Sequence, residues 1–89
     1  MDIEDWRSKI DAIDDQILLL LNTRAGCCIA IGQLKETREM PVYSPIREKR
    51  IIERMVTNNS GPFSADGVRR VFERIIDESR KLEKDELTK

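Results

Sequence analysis

The sequence contains no histidine, and this absence removes a large part of the usual catalytic chemistry. Its 89 residues include 16 basic and 17 acidic side chains but not one imidazole. Ser/His/Asp and Cys/His nucleophiles, histidine general bases and zinc sites that use imidazole are therefore excluded. A functional site in this chain has to work with carboxylates, hydroxyls and cationic side chains, and we expect no metal and no cofactor.

Cysteines and long apolar runs are also scarce. Cys27 and Cys28 are adjacent, so they form neither a CxxC pair nor a disulfide framework, and we expect both to be reduced. No apolar run, including Ile17 to Leu21, approaches the roughly 20 residues that span a membrane. The acidic start is unlike a signal peptide, and a net charge of −1 is unlike a nucleic-acid binder. The sequence therefore predicts a cytoplasmic protein that binds neither nucleic acid nor membrane.

The chain is short enough to need help with its own stability. We expect residues 1–89 to form one domain, and a domain of this size buries only about 60% of its unfolded surface. Four aromatic residues add little bulk to the core. A partner chain is therefore expected to supply part of the stability.

Apolar residues repeat with heptad spacing through the first part of the chain. The seam consists of Ile3, Trp6, Ile10, Ile13, Ile17, Leu20, Cys27, Ile31 and Leu34. Since no proline precedes Pro41, the pattern predicts one α-helix over about residues 3–38, roughly 50 Å long.

A second helix is predicted after a short extended linker. A residue that precedes proline disfavours the helical region, so Pro41 ends the first helix. Ser44 is a suitable N-cap and Pro45 suits the first helical position, which places the second helix at about residues 45–59. The Gly61-Pro62 pair then terminates it.

A third helix completes an all-α fold. Ser64 is its expected N-cap, the helix is predicted over about residues 64–84, and residues 84–89 are expected to be a frayed polar end. The two shorter helices span roughly 22 and 33 Å, so neither can cover a 50 Å seam. The sequence therefore predicts three helices per chain in an intertwined homodimer whose long helices pack together.

Arg24 occupies a seam position where an apolar residue is expected. An unpaired guanidinium in an apolar interface is costly, so Arg24 needs an anion: either a carboxylate of the partner chain that fixes the register, or a ligand. Lys35 lies on the same face, about 16 Å further along, with Cys28 and Ile31 between them. Both cations can contact the same small anion. Taken alone, Lys35 would be interpreted as a solvated surface lysine.

Arg7 cannot reach the same ligand from its own chain. It lies about 25 Å from Arg24 along the helix axis and about 100° around it. In a dimer with antiparallel long helices, Arg7 of the partner subunit can approach the site. The alternative is an ordinary surface arginine.

Four further residues are candidates for the same site. Arg47 and Glu48 lie in the first turn of the second helix, where free backbone amides favour anions. Ser79 and Glu83 share a face of the third helix, and this pair is otherwise an ordinary helix edge.

Taken together, six fragments resemble the all-helical chorismate mutases of the AroQ class (type II), bacterial type. The matching fragments are Arg7-x-x-Ile10-Asp11-x-Ile13-Asp14, Leu20-Leu21-x-x-Arg24, Ile31-Gly32-x-x-Lys35, Pro41-Val42-Tyr43-x-Pro45-x-Arg47-Glu48, Asn59-x-Gly61-Pro62 and Phe72-x-x-Ile75-Ile76-x-x-Ser79. The resemblance covers essentially the whole chain and implies an intertwined three-helix dimer, in which each site borrows an arginine from the other subunit.

The resemblance also implies a reaction and the roles of the cations. The reaction is the pericyclic rearrangement of chorismate to prephenate, which needs no nucleophile, metal or proton shuttle and serves phenylalanine and tyrosine synthesis. Arg24 and the partner's Arg7 match the groups that bind the two carboxylates. Lys35 matches the donor to the ether oxygen, and Arg47 matches another cation on the substrate side.

The remaining roles come from the same resemblance and include two departures. Glu48 matches the acceptor for the ring hydroxyl, and Ser79 matches a polar contact near the carboxylates. Ser44 stands where several relatives have aspartate. Glu83 stands where the best-known bacterial members have glutamine; as a neutral acid it would donate to the ether oxygen, which makes it catalytic together with Lys35 and Arg24.

Two other functions stay open at this stage. An isochorismate-pyruvate lyase would use a similar cationic pocket on the same fold. A non-catalytic helical dimerisation or regulatory module would have lost ligand binding. The sequence leaves undecided whether the chain stands alone or belongs to a longer fusion.

Overall fold

The computed structural model describes residues 1–87, and these residues form three α-helices without any strand. The helices are α1 (Ile3–Thr37), α2 (Pro45–Asn58) and α3 (Ala65–Leu87). The all-α, three-helix architecture expected from the sequence is thus confirmed. The first two helices each end one residue before the predicted limit.

The end of α3 differs from the expectation. Residues 84–87, predicted to be frayed, continue the helix. No glycine or proline interrupts this stretch, and Lys84 in the last turn complements the negative end of the helix dipole. The other two residues of the predicted polar end, 88 and 89, lie outside the described residues.

The helix starts depend on different caps. Asp2 and Asp5 form a capping box at α1, each side chain accepting from the other's backbone N–H at 3.0 Å. Ser64 caps α3 as predicted, because its hydroxyl accepts from the amide of Gly67 at 3.0 Å. Ser44 occupies the N-cap position of α2, but its side chain makes no capping hydrogen bond. The prediction that Ser44 is the N-cap residue is therefore confirmed for its position, and the same residue lines a cleft.

The chain leaves α1 through a tight turn. Glu39 has a φ of 55°, and the amide of Met40 donates to the carbonyl of Lys35 at 2.7 Å. A left-handed residue after the last helical turn closes many helices in this way. The turn brings the following segment back along α1, where the carbonyl of Val42 meets the side chain of Lys35.

Helix α3 packs against both other helices, and the core lies between α2 and α3. Ile51 and Ile76 are its buried apolar residues, at 7% and 5% exposure. On α1 the buried residue is Gly32. Most of the apolar seam of α1 is therefore uncovered in a single chain, with Ile17 still 48% and Leu20 66% exposed.

The overall dimensions lead to the same conclusion. The radius of gyration is 16.1 Å, whereas a compact chain of this length has about 12 Å. The accessible surface is 7205 Å², whereas a folded monomer of this mass has about 5,400 Å². The excess, about 1,800 Å², is of the size that one chain buries in an obligate dimer.

By length and composition alone, α1 is also apolar enough to cross a membrane. This property belongs to the helix as a whole and not to one continuous apolar run, because the apolar residues of α1 are interrupted by Asn22, Thr23 and Arg24. This is weak evidence for a membrane span, since a helix whose apolar face packs against a partner has the same composition.

Candidate active site

A cleft lies where α3 faces the other two helices, and it collects most of the residues that the sequence nominated. Its floor is apolar and contains Cys28, Ile31, Ile51 and Ile76. The polar lining comprises Arg24, Lys35, Ser44, Arg47, Glu48, Ser79, Arg80 and Glu83. Every predicted site residue except Arg7 therefore lines this cleft.

Arg24 is oriented by an uncharged partner. Its Nη1 donates to the hydroxyl of Ser79 at 2.9 Å and lies 3.6 Å from the Sγ of Cys28. The Ser79 hydroxyl donates in turn to the carbonyl of Ile75 at 2.7 Å. Because no carboxylate of the described residues forms a salt bridge with Arg24, its charge stays available for an anion in the cleft.

Lys35 is held in a comparable way. Its Nζ donates to the backbone carbonyl of Val42 at 3.1 Å, which is the contact that the turn after α1 creates. An ammonium group has three donors, so two stay available for a ligand. Arg24 and Lys35 thus face the same cleft over Cys28 and Ile31, as their spacing predicts.

Glu83 enters the cleft beside Gly32, where α1 and α3 approach closely. A β-carbon at position 32 would lie 3.4 Å from the Cγ of Glu83, an ordinary van der Waals contact, so this side chain packs directly against α1 at Gly32. Burial raises the pKa of the Glu83 carboxyl, opposed by the nearby charges of Lys35 and Arg24. Burial prevails over these two charges.

Two other groups modify the environment of Glu83. The negative charge of Glu48 adds to the increase in the pKa of Glu83, whereas a hydrogen bond with Cys28 opposes it. The net direction is upward, so Glu83 keeps its proton to a higher pH than an ordinary glutamate does. A protonated carboxyl is a hydrogen-bond donor, which an ionised one is not.

Arg80 was not predicted as a site residue, yet it makes the shortest polar contact among the residues that line this cleft. Its Nη1 donates to both carboxylate oxygens of Glu48, at 2.7 and 2.6 Å. The hydrogen bond to Glu48 raises the pKa of the Arg80 guanidinium. Helical spacing offered a signal, because Arg80 is four residues after the buried Ile76 and three before Glu83.

Arg47 and Arg7 differ in their relation to the cleft. Arg47 is exposed and contributes to the lining from the start of α2. Arg7 lies outside the cleft of its own chain and pairs with Glu4 at 2.8 Å on the exposed surface of α1. The expectation that Arg7 cannot serve its own site is consistent with this position, and its service to a partner stays a prediction.

The charges of the cleft favour a small anion. Four cationic side chains line it against two acidic ones, in a protein of net charge −1. The positive charge of Arg80 is balanced by the negative charge of Glu48. The raised pKa of Glu83 favours its uncharged form. The remaining positive charge lies over an apolar floor, which is an arrangement suited to a compact, partly apolar carboxylate ligand.

Comparison with known proteins identifies the family. Residues 6–84 match the family described as chorismate mutase type II. A bifunctional chorismate mutase/prephenate dehydratase of Neisseria gonorrhoeae is 41% identical over 78 residues, covering 88% of this chain and 21% of the relative. One from Aquifex aeolicus is 33% identical over 87 residues, covering 93% and 24%. The chain therefore spans less than a quarter of the length of these curated relatives.

Solved structures agree with this fold. A chorismate mutase from Thermus thermophilus has a TM-score of 0.91 at 32% identity, covering 92% of this chain and 93% of that one. The chorismate mutase of Helicobacter pylori, solved in complex with prephenate, has a TM-score of 0.90 at 26% identity, covering 98% and 94%.

Proposed function

The chain belongs to the type II chorismate mutase family, and we propose that it is an isomerase that rearranges chorismate to prephenate in phenylalanine and tyrosine synthesis. The observation that carries this proposal is the cleft of this family's fold, in which Arg24 and Lys35 face an apolar floor with neutral partners. Chorismate is a dianion with a hydrophobic ring, so such a cleft matches both of its chemical properties.

The proposed mechanism is conformational restraint together with electrostatic stabilisation. The reaction is unimolecular, so the protein has to hold the compact conformer of the substrate and stabilise the charge that develops on the ether oxygen. Arg24 and the partner's Arg7 bind the two carboxylates. Lys35 and protonated Glu83 donate to the ether oxygen. No metal or cofactor has a role in this scheme.

The other cleft residues orient the substrate and the cations. Glu48 accepts a hydrogen bond from the ring hydroxyl, and Arg47 and Ser44 complete the substrate side at the start of α2. The hydroxyl of Ser79 already accepts from Arg24 and donates to the carbonyl of Ile75. We therefore assign Ser79 to holding Arg24 toward the carboxylates.

We also propose an intertwined homodimer. The heptad seam of α1 is exposed in a single chain, and the excess surface of about 1,800 Å² is comparable to one chain's share of an obligate interface. Antiparallel packing of two α1 helices would cover the seam and deliver the partner's Arg7 to the cleft.

Subunit mixing tests the shared site. Arg7→Ala and Arg24→Ala homodimers are both expected to be inactive. Unfolding and refolding them together should restore about a quarter of wild-type activity, since half of randomly assorted dimers are mixed and each mixed dimer has one intact site. A mixture that stays inactive, although both variants refold as dimers, would contradict the proposal that the partner's Arg7 completes the site.

The activity itself is tested with two substrates. The purified protein is expected to convert chorismate to prephenate. Chromatography of both compounds measures this conversion. Release of pyruvate from isochorismate without prephenate formation would identify a lyase instead. Failure with both substrates would indicate a non-catalytic module.

We propose that the protein is soluble and cytoplasmic. Although α1 is apolar enough to cross a membrane, Arg24 lies within it and bonds to Ser79 of α3. Insertion of α1 into lipid would break this bond and bury the guanidinium in hydrocarbon, which is costly.

A further inference from the structure

Arg80 is fixed on three sides at the edge of the cleft. Its Nη1 donates to both oxygens of Glu48, at 2.7 and 2.6 Å, and its Nη2 donates to Asp77 at 2.9 Å. The ring of Tyr43 covers the guanidinium, with its centroid 4.8 Å from the Cζ atom. A cation held over an aromatic face and between two carboxylates has little freedom to reorient.

The pair of Arg80 and Glu48 also differs from surface ion pairs of this chain. It joins α3 to α2, and the two side chains are only 28% and 22% exposed. The pair of Arg74 and Glu78, by contrast, lies within α3, with its side chains 77% and 55% exposed. Exposed pairs contribute little because water screens them, whereas a shielded pair fixes the geometry of both partners more strongly.

We propose that Arg80 is a positioning residue that aims the carboxylate of Glu48 at the ring hydroxyl of the substrate. This inference rests on the proposed function, in which Glu48 accepts that hydroxyl. A carboxylate has about four lone-pair sites, so Glu48 can accept from Arg80 and from the substrate together. Tyr43 and Asp77 hold Arg80, and Arg80 holds Glu48.

Direct binding of a substrate carboxylate by Arg80 is the competing role. Both terminal nitrogens of its guanidinium already donate to acidic side chains. Arg24 and Lys35, in contrast, donate to a hydroxyl and a carbonyl, which leaves their charges uncompensated. The substrate carboxylates are therefore better served by those two cations.

The test compares chorismate with an analogue that lacks the ring hydroxyl. With chorismate, Arg80→Gln should lose about tenfold to a hundredfold in kcat/KM, as expected for a weakened hydrogen bond to a charged group. With the analogue, the loss should be no more than about twofold, because there is no hydroxyl for Glu48 to meet. Where the analogue reacts too slowly to follow, its inhibition constant against chorismate provides the comparison.

Two further variants complete the design. Arg80→Lys keeps the charge but loses the planar fork, so it should recover part of the loss with chorismate. Arg69→Gln is the matched control, since Arg69 pairs with Asp66 three residues earlier on α3, as Arg80 pairs with Asp77, but lies outside the cleft. Circular dichroism and size determination establish that each variant is folded, and Arg80→Lys provides the two-substrate comparison where Arg80→Gln does not fold.

The outcomes are distinct. A loss of kcat/KM confined to chorismate supports the positioning role. The same holds if Arg80→Gln causes no further loss of kcat/KM in a protein that already carries Glu48→Gln. Equal losses with both substrates would overturn it, because a direct carboxylate contact or a purely structural link between α2 and α3 slows both reactions. Inactivity of the wild type with chorismate would instead refute the proposed function.

Discussion

Replacement of Glu83 by glutamine isolates the role of one proton in catalysis. Burial raises the pKa of the Glu83 carboxyl in spite of Lys35 and Arg24. The protonated form can donate to the ether oxygen, whereas the ionised form would repel the charge that develops there. We expect kcat/KM of the wild type to fall by about tenfold per pH unit above this pKa. Glu83→Gln should show no such limb, because an amide donates at any pH.

The size of the decrease in kcat/KM at alkaline pH follows from the number of hydrogen-bond donors to the ether oxygen. Lys35 and Glu83 are the two donors assigned to the ether oxygen, and loss of one such donor costs about 3 to 4 kcal/mol, or about 10² to 10³ in rate. The wild-type profile should therefore level off after a fall of at least that size, since the ionised carboxylate also repels the developing charge while Lys35 still acts. At alkaline pH the variant should be faster than the wild type.

The assay is a pH–rate profile of both proteins with chorismate, at fixed ionic strength. Glu73→Gln is a suitable control, because Glu73 is exposed on the same helix and does not line the cleft; it should keep the alkaline limb. If wild type and Glu83→Gln show the same alkaline limb, Glu83 is not the titrating donor.

The raised pKa of Glu83 has a consequence for stability that requires no substrate. The folded state retains this proton to a higher pH than the unfolded state does. Glu83 therefore contributes most to stability below its unfolded pKa, and the contribution is lost as pH rises through the folded pKa. Urea unfolding at one protein concentration should show the wild type losing stability relative to Glu83→Gln across this window. A difference that does not change with pH would contradict the raised pKa.

Two further predictions concern the remaining cations and the helix contact. Arg24→Ala and Lys35→Ala should each cost about 3 to 4 kcal/mol in transition-state stabilisation, measured from kcat/KM. Near-normal turnover in either variant would contradict the electrostatic mechanism. Gly32→Ala adds a methyl group whose nearest neighbour is Glu83 Cγ at 3.4 Å, an ordinary van der Waals contact, so we expect turnover to be kept and the melting temperature to rise slightly, from a helix-propensity gain of about 0.5 to 1 kcal/mol. Gly26→Ala is the matched control, since its added methyl meets no atom of the chain within 4 Å; slower turnover or a lower melting temperature in Gly32→Ala alone would contradict this expectation.

The sequence predicted those features that depend on positions along one helix. Heptad spacing, together with Pro41 and Pro45, located α1 and the start of α2. The common face of Arg24 and Lys35 also follows from helical periodicity alone, because eleven residues return to nearly the same direction. Such inferences need no knowledge of how helices pack, which is why they agree with the structure.

The features that sequence reasoning missed depend on packing between helices. The contact between Arg80 and Glu48 requires the rotation of α3 against α2, which periodicity within either helix does not specify. Ser44 occupies the predicted N-cap position and lines the cleft, but residue type alone does not show that its side chain makes no capping hydrogen bond. For Glu83, burial and neighbouring charges act in opposite directions, and their balance depends on distances that only the folded chain defines.

The partners of the cationic side chains matter more for this cleft than their number. Arg24 is oriented by the hydroxyl of Ser79 and Lys35 by the carbonyl of Val42, and neither partner cancels the charge that it orients. Arg80 is held by the carboxylate of Glu48, which compensates its positive charge. A fixed but uncompensated cation stabilises developing negative charge without having to reorganise during the reaction, and this is the main electrostatic source of rate enhancement. In the proposed mechanism, Arg24 and Lys35 therefore act on the ligand, whereas Arg80 shapes the wall of the cleft around it.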